Sequence, residues 1–167
     1  MRKANIRLLI AMAVLVALVA AAGLLFGGGL QTPGTGKGPI TITATEGLTI
    51  PDPESAGAYH APVGTNWLSV SCDGFTYPPV PLTCTGDYTF TQPDGGYNLL
   101  HVTPDSIRMS KADCSTQDCI HQGAATAASM DFRPLGGQII CLPHKLIVQL
   151  VPDGQLDSII LPEDMEP

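Results

Sequence analysis

Basic charge is scarce in this chain: eight Lys and Arg stand against fifteen Asp and Glu, for a formal net charge of -7. Arg2, Lys3 and Arg7 precede every acid, so the remainder holds only Lys37, Arg108, Lys111, Arg133 and Lys145 as cations. Recognition of phosphate backbones needs a basic patch, and none is present, which argues against a nucleic-acid partner. Also missing are a Gly-rich phosphate cradle, a Ser elbow and paired carboxylates at a useful spacing. There is no C-x-x-C-H haem attachment motif, and no Met stands at a spacing from His that marks a haem site. No catalytic residues are therefore assigned, and the chain reads as noncatalytic.

Long helices are also disfavoured beyond the N-terminal region, because 18 Gly and 15 Pro are spread through stretches rich in Thr, Ile and Val. The exception is Leu8 to Phe26, an unbroken apolar run that continues through Gly27-Gly28-Gly29 to Leu30. It is long enough to span a bilayer. Cations before it and none directly after it place the N-terminus inside and the rest outside. Ala20-Ala21-Ala22-Gly23 offers a cleavage site for a signal peptide, but Leu24-Leu25-Phe26 carries the apolar run past it, which suits an uncleaved anchor better. No Cys closes the run, so a lipoprotein anchor is not indicated. The expected localisation is a bacterial cell membrane, single-pass, with an extracytoplasmic domain.

The expected organisation follows. Residues 1–30 form a cytoplasmic tip and transmembrane anchor, and 31–39 a flexible Gly/Pro linker. Residues 40–160 form one β domain, and 161–167 an acidic tail. Alternation of apolar and polar residues predicts strands at Ile40 to Thr45, Trp67 to Cys72, Asp87 to Thr91, Tyr97 to Val102, Ile107 to Ser110, Gln138 to Leu142 and Lys145 to Val151. The Pro-rich segment Phe75 to Cys84 reads as a sheet edge or loop. Cys114 to Gly123 reads as a polar loop or one helical turn. The fold class is all-β, a small barrel-like or sandwich domain after a single N-terminal transmembrane helix.

Five cysteines lie on the exported side, where disulfides persist. Cys72 and Cys84 enclose a Pro-rich loop, and a bridge between them would be worth about 3 kcal/mol through loop closure. Cys114, Cys119 and Cys141 are then an odd trio, of which at most two pair with one another. The leading expectation is a structural disulfide from Cys141 to Cys114 or Cys119. The first alternative is an electron carrier. Cys119-Ile-His121 and Cys141-Leu-Pro-His144 form a C-x-H and C-x-x-H pair, the ligand types of a Rieske two-iron, two-sulfur centre. A Rieske centre of the cytochrome complexes has a further Cys in each loop, where this chain has Ala124 and Pro143. A mononuclear ion such as zinc on three Cys and one His, and a thiol used in exchange with a partner, remain the other readings. Asp113 and Asp118 flank the Cys-rich loop and oppose thiolate formation. His60 and His101 read as surface or turn residues.

Asn98, Ile107-Arg108-Met109, Ala112-Asp113-Cys114, Asp118-Cys119-Ile120 with Gly123, and Ile139 to Lys145 (IICLPHK) carry a resemblance over Tyr97 to Val151. In these residues the chain resembles the NusG second-domain family (NusG domain II), in its stand-alone, membrane-anchored form. The resemblance implies a small β domain that serves as an envelope accessory or binding module, with no established catalytic residues. In that family the His positions vary, which favours a three-cysteine structural motif over a four-ligand cluster. The expected function is thus a disulfide-stabilised accessory domain, linked to envelope redox traffic, with no cofactor and with the membrane and an envelope protein as partners.

Overall fold

The computed structural model describes residues 32–33, 38–55 and 59–156. The expected anchor and the acidic tail lie outside the described residues, among which no helix is long and apolar enough to cross a membrane. The described part is built almost wholly of antiparallel strands in two sheets. One holds β1 (Thr32–Pro33), β2 (Thr41–Ala44), β5 (Gly86–Thr91), β6 (Tyr97–Thr103), β7 (Ser106–Ala112) and β8 (Ala125–Thr126), in the order β1-β2-β5-β6-β7-β8. The other is ordered β4-β3-β10-β9, with β3 (Trp67–Cys72), β4 (Phe75–Pro81), β9 (Gln138–Cys141) and β10 (Leu146–Val151). Both sheets keep free end strands, so the domain is a sandwich and not a closed barrel. Part of the expected linker is a strand, since Thr32 and Pro33 pair with Ala44 and Thr43.

Period-2 patterning explains the core. β5 and β6 alternate strictly, burying Tyr88, Phe90, Leu100 and Val102, while β7 buries Ile107 and Met109. These pack with Leu68, Val70, Tyr77, Ile139, Leu146, Val148 and Leu150 of the other sheet in one hydrophobic cluster. One inward position of β6 breaks the pattern: Asn98 is fully buried beside Leu100 and Val102. A polar group in such a position must find partners.

Local turn chemistry sets the register. Asp73 and Gly74 both take positive φ, 50° and 81°, as a two-residue hairpin between β3 and β4 requires. β4 carries Pro78, Pro79 and Pro81 and sits at a sheet edge, where missing N–H groups cost no ladder bond on the open side. Its register slips between Leu68 and Val70, so that Pro78 and Pro79 together oppose Ser69. That is a β-bulge, which absorbs the two prolines.

The register also corrects one expectation. Cys72 pairs with Phe75 at the turn end of β3, whereas Trp67 at the far end pairs with Pro81, and Cys84 lies beyond that. The two thiols are therefore separated by roughly 16 Å along β3, five residues at the rise of a strand. A disulfide needs Cα atoms within about 7 Å. No Cys72 to Cys84 bridge forms, and both are free thiols. The Cys84 thiol instead contacts the Gly47 carbonyl at 3.3 Å. Cys72 lies near the His144 carbonyl at 3.5 Å and Gln92 at 3.6 Å.

Candidate functional site

Three segments meet at the ends of β6, β7 and β9. β7 leads through Asp113 to Cys114, and a loop closed by Gln117 leads into α1 (Asp118–His121). Gln117 takes φ 57° and donates through Nε2 to the Ala112 carbonyl at 2.7 Å. The helix presents Cys119 inward, 1% exposed. Gln122 then ties α1 to β9, accepting from the Ile140 N–H at 2.8 Å and donating to its carbonyl at 2.7 Å. This amide bridge pairs with the open edge of β9, at whose end stands buried Cys141.

The outcome is a cluster of three buried thiols. The sulfurs of Cys114, Cys119 and Cys141 all lie within 4.8 Å of one another. Cys114 and Cys119 are 3.7 Å apart. Buried Asn98 gives its Nδ2 hydrogen to the Cys119 sulfur at 3.8 Å and accepts on Oδ1 from the His144 ring at 2.6 Å. Because a carbonyl oxygen only accepts, that bond assigns the His144 proton to Nδ1. Its Nε2 faces Asp113 at 3.4 Å, and Asp113 also accepts the Tyr97 N–H at 2.7 Å. The His144 Nδ1 lies 3.6 Å from the Cys141 sulfur.

The cluster floors a cleft of about 320 Å³ that opens to solvent and is mostly apolar. Leu135, Leu142 and Pro143 form much of its wall, and Leu142 is 79% exposed.

Of the residues singled out in the sequence, Cys114, Cys119, Cys141 and His144 come together. His121 does not. A two-residue step on a helix turns about 200°, so burying Cys119 forces His121 outward, and it is exposed. The four residues Cys119, His121, Cys141 and His144 do not converge as a Rieske centre requires. His101 is also more than a turn residue, pairing across β5 and β6 with Asp87 at 2.8 Å. Asn98 was visible only as part of a family resemblance. Gln122 and Arg133, which hold the site's loops, carried no signal in the sequence.

Burial and the neighbouring thiols Cys114 and Cys141 push the Cys119 thiol up to about 12. The cause differs from the flanking aspartates expected from sequence: desolvation comes first, and sulfur neighbours follow. A raised value leaves almost no thiolate near neutral pH, and the thiolate is the nucleophile. In the reduced protein at pH 8, Cys119 is expected to be alkylated by iodoacetamide at least about a hundredfold slower than an exposed cysteine. The rate should still be climbing at pH 10. Peptide-resolved mass spectrometry of a timed quench checks this; labelling of Cys119 as fast as a free thiol defeats it.

The sequence matches the NusG domain II family over residues 56–154, more than half of the chain and inclusive of the Cys72 to Cys84 segment. No curated protein matches it. Among solved structures it is similar to a DUF1312 family protein from Enterococcus faecalis, at 26% identity over 52% of this chain and 95% of that one, with a TM-score of 0.43. A DUF1312 family protein from Ruminococcus gnavus is 31% identical over 52% of this chain and 97% of that one, with a TM-score of 0.38. A protein from Listeria innocua, solved in solution, is 25% identical over 65% of this chain and 91% of that one, with a TM-score of 0.46.

Proposed function

The chain belongs to the NusG domain II family, and from that premise we propose that it is a noncatalytic, membrane-anchored, extracytoplasmic binding module. Its working element is the three-thiol centre of Cys114, Cys119 and Cys141. Support for the anchor lies in the sequence, where Arg2, Lys3 and Arg7 precede the apolar run of Leu8 to Phe26. Support for the centre is one observation: cysteines from two separate segments converge, buried, at the floor of an open apolar cleft. Core thiols alone need no such access. The raised Cys119 value and the absence of any Lys or Arg among the cleft residues speak against an attacking thiolate. The centre is suited to hold a ligand, not to turn one over.

A second state of the same centre is favoured by the 3.7 Å contact of Cys114 with Cys119. Two-electron oxidation by an envelope thiol oxidase, with loss of two protons, would join these two and leave Cys141 as the odd thiol. This links the module to envelope redox traffic as a substrate rather than a catalyst.

The test uses the full chain with a C-terminal tag in a bacterial host. The tag is expected in the membrane fraction after alkaline extraction, and protease added to intact spheroplasts should remove it. A tag that washes off or stays protected sinks the anchor reading. Nonreducing peptide mapping after mild oxidation should return Cys114 bonded to Cys119. A Cys72 to Cys84 peptide would contradict the strand register.

A further inference from the structure

We infer that the reduced centre binds a single thiophilic d10 cation, Cu(I) or Zn(II), on the sulfurs of Cys114, Cys119 and Cys141, with a further coordination position facing the cleft. This rests on the reading of the trio as the working element and names its ligand.

The geometry is close to what such an ion needs. Zn–S bonds of about 2.3 Å at tetrahedral angles place sulfurs about 3.8 Å apart. Cys114 and Cys119 already stand at 3.7 Å, and the third sulfur lies within 4.8 Å of both. Closing that gap asks about 1 Å of Cys141, a side-chain adjustment. All three converging atoms are sulfur, which selects soft ions over Mg(II) or Ca(II).

The surroundings also fit. No Lys or Arg is among the residues lining the cleft, so no basic side chain there competes with a metal ion for the three sulfurs. The Asn98 N–H aimed at Cys119 is the hydrogen bond that a metal-bound thiolate receives in a supporting shell. His144 fixes Asn98 from behind. Since its Nδ1 proton is given to Asn98 and its Nε2 faces Asp113, His144 orients the site and is not a ligand. With Cys141 drawn in, a trigonal set of three sulfurs satisfies Cu(I) without a fourth ligand. It completes Zn(II) once a water or a guest donor enters from the cleft.

The experiment loads full chain, purified in detergent and kept reduced without oxygen, with Cu(I) or Zn(II) in separate arms, then dialyses against a weak chelator. One equivalent of at least one ion is expected to remain. X-ray absorption should count three sulfur neighbours, at about 2.3 Å for Zn(II). Cys114→Ser, Cys119→Ser and Cys141→Ser should each lower retention at least tenfold. Cys84→Ser and His121→Ala should leave it unchanged. The count on wild-type protein stands even if a serine variant fails to fold. No retained ion of either kind, a first shell of nitrogen and oxygen, or dependence on His121 overturns the proposal. If no ion binds while oxidation still joins Cys114 to Cys119, the ligand assignment falls and the thiol centre remains. A chain that binds metal but is not membrane-anchored reverses that result.

Discussion

Asn98→Ala is expected to destabilise the domain by about 3 kcal/mol and to lower its melting temperature by roughly 10 °C. The side chain is fully buried on the inward face of β6 and spans the site, donating to Cys119 and accepting from His144. Truncation leaves the His144 Nδ1 donor without its acceptor in a place that water reaches poorly, since that side chain is only 12% exposed. An abandoned buried donor costs about 1–3 kcal/mol, and the small cavity adds to it. Asn98→Asp keeps the oxygen facing His144 and removes the N–H given to Cys119, so it should melt between the two. Circular dichroism melts of the reduced proteins decide the matter. An alanine variant melting within about 2 °C of wild type would mean that water or His144 itself compensates, and the site would lose its proposed anchor.

That residue also shows where sequence reasoning stops. Strands with clean alternation could be read directly: Trp67–Cys72 has the predicted limits, and β5, β6, β7, β9 and β10 fall within a residue or two. The Asp73-Gly74 pair is itself a turn signal, and the Pro-rich segment, read as an edge or loop, is an edge strand. These are local signals, fixed by the two-residue period and by backbone sterics. What failed was pairing across distance. Cys72 and Cys84 look adjacent because little chain separates them, yet Cys72 stands at the turn of the β3–β4 hairpin and Cys84 follows its open end, and these two move apart as a hairpin lengthens. Cys119 and His121 look like a ligand pair because one residue separates them, but four residues of helix turn them to opposite faces. Cys141 was already grouped with Cys114 and Cys119, and the fold brought the trio together through Gln122, a residue with no motif of its own. Asn98 is the intermediate case, a polar residue at an apolar position of an otherwise regular strand, which is a mark of a site once the strand is known.

Arg133→Ala is expected to release the segment between α1 and β9 and to cost about 3 kcal/mol there, with the two sheets left folded. The guanidinium lies within one loop and donates to four main-chain carbonyls: Gly136 at 3.0 Å, Gln122 at 3.0 Å, Ala124 at 2.6 Å and Gln138 at 3.4 Å. It thereby joins the end of α1 to the start of β9, across a stretch whose regular structure is limited to β8 and a single 3-10 turn at Met130–Phe132. Hydrogen bonds from a charged donor are worth about 1.5–3 kcal/mol each, and those partly open to water contribute less, so the sum stays near the value of one or two good bonds. Amide exchange should then accelerate across 122–138 while β5, β6 and β10 stay protected, and a protease should cut within 124–136. Because α1 carries Cys119, the loosened loop should also expose that thiol, speeding its alkylation about tenfold. Arg133→Lys should rescue little of this, since one ammonium cannot reach carbonyls on both sides of the loop as the planar fork does. Full rescue by lysine, or uniform loss of protection through both sheets, would show that the guanidinium supplies charge or core packing instead of the geometry that positions the thiols.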